Sequence, residues 1–185
     1  MKVLKYILLV LLLVAIGACM WRGWLFRHAV VYRSVGLRAN YAARDSNLIH
    51  YIDSNVSLSA APDVAEIVEQ AEILTSRRLE FTFGRNENDP NRLIHTHTAN
   101  CIGYAAFFAG TCNYLLAQHH LSEWQAQPRV GQLFLFDKNM HHYINDPFFK
   151  DHDFATVENM LTGDVLAVDP TVHDYLLIDG VSYVK

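Results

Sequence analysis

The sequence predicts an α+β fold, and three observations predict it. Helical spacing of apolar residues stops near His119, β-type alternation begins beyond Pro128, and Asp179-Gly180 between two apolar runs is a hairpin signal. The 185 residues, 51% hydrophobic and 12% aromatic, suffice for one core behind an apolar leader, with no linker-like run or internal repeat. The expected division is 1–27 as a membrane anchor or signal segment, 28–59 as a juxtamembrane extension, and 60–185 as the domain.

Taken in order, Tyr6 to Met20 is uncharged and apolar, preceded by Lys2 and Lys5 and followed by Trp21, Trp24 and Phe26 as interfacial anchors. This segment is expected to meet a membrane, in one of three ways. It is a retained anchor, a signal cleaved near Ala15-Ile16-Gly17-Ala18, or a lipoprotein signal in which Ile16-Gly17-Ala18-Cys19 resembles a lipobox. The short basic N-terminus favours an extracytoplasmic domain. Val30 to Ser59 shows a mixed pattern with a short helix around Ser46 to Asp53.

From Pro62, the residues Val64, Ile67, Val68, Ala71 and Leu74 recur at helical spacing. Pro62 suits the first helical position, Asp63 and Glu66 the positive end, and Arg77 and Arg78 the negative end. Leu79, Phe81 and Phe83 then alternate as a strand, and Arg85 to Arg92, containing Asp89-Pro90, reads as a polar loop. A second helix over Asn100 to His119 is apolar all round, so it is expected to be packed on most sides, with Gly103, Ala105, Ala106, Ala109 and Gly110 admitting close neighbours. Strands follow at Val130 to Phe136, Phe154 to Glu158 and Val165 to Asp169. Tyr175 to Ile178 and Val181 to Val184 form the expected hairpin.

Charge is uneven. Residues 1–40 hold six basic and no acidic side chains, leaving the rest with nine basic against 19 acidic ones. An acidic body argues against nucleic acid, whose phosphates reward Lys/Arg patches, while the basic N-terminal zone suits an anionic bilayer.

Three residues stand out chemically. Cys101 opens the apolar helix, where amide N–H groups and the macrodipole favour a thiolate. His152 opens one strand and Asp169 closes the next. With His152 opposite Asp169, Thr156 faces Val165 and the two functional side chains share a face about 5 Å apart. An aspartate so placed fixes an imidazole's tautomer while the other ring nitrogen faces the thiol. The set points to thiol-based acyl chemistry, with His142 as the rival base.

Cys112, about three turns along from Cys101, reads as core and cannot pair with it on one straight helix. His95 with His97, His119-His120 and His141-His142 lack cysteine or acidic partners at ligand spacing, so neither a metal nor any other cofactor is expected.

Cys101 before a buried helix, His152 followed by Phe154-Ala155, and Asp169-Pro170-Thr171 together resemble the transglutaminase-like branch of the papain-like cysteine enzymes. The resemblance covers about residues 60–185. It implies a buried helix beginning at the cysteine and packed on an antiparallel sheet, catalysis by Cys101, His152 and Asp169, and a peptide or protein substrate. Two departures are Thr98-Ala99-Asn100 before the cysteine, where glycine is common, and Phe154 where tryptophan is usual. They favour amide hydrolysis over protein cross-linking. The alternatives are an inactive binding module on the same fold and a cell-wall peptidase type, since Asn100-Cys101-Ile102-Gly103 is not far from that family's Asp-Cys-Ser-Gly motif.

Overall fold

Each helix of the domain body starts on an Asp or Asn whose side chain accepts first-turn amides. These are Asp45 for α3 (Ser46–Asn55), Asp63 for α4 (Val64–Arg78), Asp89 for α5 (Pro90–Thr96), Asn100 for α6 (Cys101–Gln118) and Asp169 for α7 (Pro170–Leu176). Such caps are worth about 1 kcal/mol each over alanine. The computed structural model describes residues 2–143 and 150–185 and is α+β, with seven helices and a mixed sheet among the described residues.

Ahead of the body lie α1 (Lys2–Met20) and α2 (Arg22–Ala29). Leu8 to Val14 on α1 stay exposed. No single helix among the described residues is long and apolar enough to cross a membrane. Leu4–Met20 and Arg22–Ala29 reach that length and composition only together, across a 73° bend. Arg22 ties the bend to the body by donating from Nε to the carbonyls of Leu176 (2.7 Å) and Leu177 (3.1 Å).

α2 runs directly into β1 (Val30–Leu37), so the stretch that looked mixed in sequence supplies an interior strand of the main sheet. That sheet also contains β4 (Trp124–Leu135), β6 (His152–Asn159), β7 (Val165–Val168) and β8 (Ser182–Val184), in the order β7-β6-β4-β1-β8, with β5 (Lys138–Asn139) folded against β4. β4 begins before Pro128 and keeps it, although the sequence places the strand beyond it. The Pro128 carbonyl accepts the Arg38 N–H (3.0 Å), so the proline's missing donor faces the side where β1 has ended rather than the ladder with β6.

Three further expectations are corrected. The polar loop at Arg85 to Arg92 ends early, because Asp89 caps and Pro90 opens α5. Pro62 lies outside α4, where Asp63 is the cap rather than a first-turn acid. The hairpin around Asp179-Gly180 does not form. Asp169 and Pro170 instead start α7, which consumes Tyr175 and Leu176, and β8 pairs in parallel with β1 (Val31↔Ser182). A cap with proline at the first helical position outweighs the turn signal, and β8 finds its partner at the other end of the chain.

α6 is the centre of the core. Tyr104, Phe107, Phe108, Leu115 and Leu116 are buried against α4, β4, β6 and α7, each worth roughly 1.5–3 kcal/mol by burial. Asn113 pins α6 to β4 by copying a strand's pairing, with Nδ2 donating to the Ala126 carbonyl (2.9 Å) and Oδ1 accepting the Ala126 N–H (2.8 Å). Its start is set by a two-stranded parallel sheet, β2 (Glu80–Phe81) with β3 (Thr98–Ala99), which delivers the chain to Asn100. Gly103 is needed there, because a Cβ would lie 2.8 Å from that of Ala99.

On the other side of the sheet Tyr32, Phe154, Ala167 and Val181 form a second cluster. Gly131, opposite His152 in the β4–β6 register, leaves room for Phe154. A Cβ at Gly131 would meet the Phe154 ring at 2.6 Å and the His152 carbonyl at 2.9 Å. Gly131→Ala is therefore expected to destabilise the fold by about 1–3 kcal/mol through overpacking, measured by urea unfolding. A neutral substitution would show that Phe154 is free to move aside.

Candidate functional site

Cys101, His152 and Asp169 come together at the end of the sheet where β6 starts, β7 stops and α6 begins. Cys101 is the first residue of α6 and is 8% exposed. Asn100 Oδ1 takes the N–H groups of Ile102 (3.1 Å) and Gly103 (3.3 Å). The Cys101 N–H has no partner among the described residues.

His152 opens β6 and is 22% exposed, with Nε2 2.6 Å from Asp169 Oδ2. The β6–β7 register differs from the expected one by two residues. Thr156 faces Ala167 and Val157 faces Leu166, so His152 and Asp169 are diagonal rather than opposite. A slip of two preserves the face because side chains alternate with period two, and an imidazole spans the diagonal.

Asp169 is fully buried, and its two oxygens do different work. Oδ1 accepts the N–H groups of Thr171 (3.0 Å) and Val172 (3.2 Å) as the cap of α7. Oδ2 accepts from His152 and from the hydroxyl of Tyr32 (2.7 Å), itself completely buried on β1. The Tyr32 and His152 rings meet edge-on at 6.1 Å.

The electrostatics follow from this packing. Burial alone would raise Asp169, but the charge and hydrogen bond of His152, then the Tyr32 hydroxyl and Val172 amide, hold its carboxyl below the usual carboxylate range. Burial works against the His152 imidazolium, yet Asp169, by charge and hydrogen bond, and then Cys101 hold its pKa well above the ordinary value. Burial, then Asp169, pushes the Tyr32 phenol well up, so it stays a donor. Cys112 on the same helix is completely buried, and burial pushes its thiol up, which fits a core role.

A second charged pair flanks the site. Arg38 grips Asp153, the residue after His152, through Nε (2.7 Å) and Nη2 (3.0 Å). The hydrogen bond to Asp153 raises the Arg38 guanidinium against its burial.

The rival base His142 lies exposed in a 3-10 turn, Met140–His142, with Nε2 3.4 Å from Asn139 Nδ2, whereas His152 is the histidine coupled to Cys101. The other histidines singled out by sequence sit elsewhere. His95 pairs with Asp45 at 3.1 Å, and His97, His119 and His120 stand at helix ends.

Sequence reasoning did not find Tyr32, Arg38 or Asp153. The alternation of Val30, Tyr32 and Ser34 is a strand signal, but Tyr32 reaches Asp169 across 137 positions, and no local pattern encodes that. Comparison with protein-family models, curated proteins and solved structures gives no match.

Replacing Asp169 by Asn is expected to lower the His152 pKa, read by NMR titration of the imidazole. The folded value in the wild type lies above the unfolded value of about 6.5, so the pairing adds stability that is fully present below that pH. It is lost as pH rises through the folded pKa, and Asp169→Asn should lack this alkaline decline. An imidazole that titrates identically in both proteins would contradict the pairing. Tyr32→Phe removes a donor to a buried carboxylate and is expected to cost about 1.5–3 kcal/mol in urea unfolding.

Proposed function

We propose that this chain is a membrane-tethered or exported cysteine hydrolase or acyltransferase of the transglutaminase-like type, acting on peptide or isopeptide amide bonds. The observation that carries the reading is the shared position of Cys101, His152 and Asp169, three residues chosen from separate motifs and linked through the 2.6 Å His152–Asp169 bond and the coupling of His152 to Cys101. A helix that starts at the cysteine and packs against a mainly antiparallel sheet agrees with a papain-like architecture.

In the proposed mechanism Asp169 holds Nε2, leaving Nδ1 of His152 to take the thiol proton. The Cys101 sulfur adds to the amide carbonyl, and the unpartnered Cys101 N–H at the helix start donates to the developing oxyanion. The imidazolium then protonates the leaving amine as the C–N bond breaks, giving a thioester. Water, deprotonated by His152, releases the acid and restores the thiol; an amine in place of water gives transfer. Tyr32 positions Asp169 without touching substrate.

The Asp169 bond supports this reading over the cell-wall peptidase type, in which another polar group should orient the histidine. Membrane attachment rests on the apolar, exposed α1 and the exposed Trp21 and Trp24 that follow it, and peptides of the cell envelope are the substrates that location favours. The 8% exposure of Cys101 is the one observation on the side of an inactive binding module.

Reactivity separates the two. With full-length protein in detergent, iodoacetamide should alkylate Cys101 at neutral pH at least about tenfold faster in the wild type than in His152→Ala, with Cys112 unlabelled. A thiol that is slow in both would leave the binding module. In a hydrolysis assay on a peptide library, Cys101→Ala should abolish turnover, and Asp169→Ala should cost orders of magnitude in kcat. Tolerance of Asp169→Ala would favour the peptidase type.

A further inference from the structure

Away from the thiol site, Glu72 on α4, His173 on α7 and Asp179 in the segment before β8 converge. One ligand atom from each lies within 4.8 Å of the others. His173 Nδ1 is 2.9 Å from Asp179 Oδ1 and 4.0 Å from Glu72 Oε2. Glu72 is 1% exposed, and its Oε1 has no hydrogen-bond partner among the described residues. It lines a cavity of about 450 Å³ with Glu69, Asp179 and Arg27.

A simple His173–Asp179 hydrogen bond accounts for two of these residues and not for the third. Glu72 has a bare Oε1, its Oε2 lies 4.0 Å from the His173 nitrogen, and burial pushes its carboxyl well above the usual range, so a nearby cation is what would let it ionise. We propose that Glu72, His173 and Asp179 hold a divalent transition-metal ion of the zinc class.

The chemistry suits that ion. One imidazole nitrogen and two carboxylate oxygens are ligands zinc accepts at roughly 2.0–2.2 Å, which places the donor atoms about 3.4 Å apart in a tetrahedron. The present separations need sub-ångström to ångström adjustment, and Asp179, with its side chain 73% exposed, is free to make it. Two carboxylates and a neutral imidazole balance a dication. Arg27 does not compete for the carboxylate, since it donates to the backbone carbonyl of Asp179 (2.8 Å) and so steadies the segment. The ion would clip α7 to α4 and to the approach to β8. Its effect would reach the thiol site through α7, whose cap is Asp169.

The test uses untagged full-length protein in detergent, stripped with a chelator and titrated with Zn²⁺ by calorimetry and thermal unfolding. The expected result is one saturable site and a rise in Tm on the order of 5 °C at a hundredfold excess over Kd. Asp179→Asn and Glu72→Gln should each weaken binding at least tenfold and abolish the metal-dependent rise, while a His95→Ala control behaves as wild type. Asp179 is exposed, so its variant is informative even where Glu72→Gln disturbs the core. Absence of saturable uptake, or uptake that survives Asp179→Asn, would overturn the site and assign any binding to surface histidines.

Discussion

The structure turns on the carboxylate of Asp169. One buried anion is shared among a helix, an imidazole and a phenol, and each partner removes a cost the others would face alone. Without Asp169 Oδ1, α7 would begin with the N–H groups of Thr171 and Val172 as open donors. Without His152 and Tyr32, a fully buried charge would stand unpaired, which folding does not tolerate cheaply. The residue that shapes the start of α7 is therefore also the one that holds the imidazole in its charged form.

Around that anion the sheet acts as a frame whose members come from distant parts of the chain. Tyr32 arrives on β1, His152 on β6 and Asp169 from the end of β7, while Cys101 is carried in by α6 from one side. The thiol's position is set by the two-stranded β2–β3 sheet and the close approach at Gly103, and the imidazole's position by Phe154 and the room left at Gly131. Rigidity is thus supplied on both sides of the pair by packing rather than by the pair's own hydrogen bonds. Under the proposed function, that is what a nucleophile and base would need to keep their geometry through a reaction.

How much was legible follows from how local each signal is. Cys101, His152 and Asp169 all sit at ends of elements, where capping and strand-start chemistry is written within a few residues, and they could be read. The misjudged register did no harm to that reading, because a slip of two keeps a strand's faces. The Asp179-Gly180 pair misled because a turn signal competes with a helix start nine residues earlier, and the stronger local stop wins. Asp89-Pro90 misleads in the opposite direction, since the Asp-Pro pair that caps and opens α7 at Asp169 does the same for α5 inside a stretch whose polarity suggests a loop. Tyr32 and the Arg38–Asp153 pair were out of reach, as their meaning lies in contacts more than a hundred positions away. The Glu72, His173 and Asp179 cluster shares that property, since Glu72 lies more than a hundred positions from the other two.

The junction between α2 and β1 has a mechanical implication. Ala29 ends the helix and Val30 begins an interior strand, with no residue between them to serve as a swivel. Arg22 and Arg27 add fastenings from the helix to the carbonyls at the far end of the chain. A domain on a flexible leash sweeps a volume and samples targets at many distances. Here α2 is mounted on the sheet as on a fixed bracket, so anything bound to α2 would stand at a set distance and tilt from the Cys101–His152 end of the sheet. Under the proposed function, the choice of target would then depend on which bonds lie at that height.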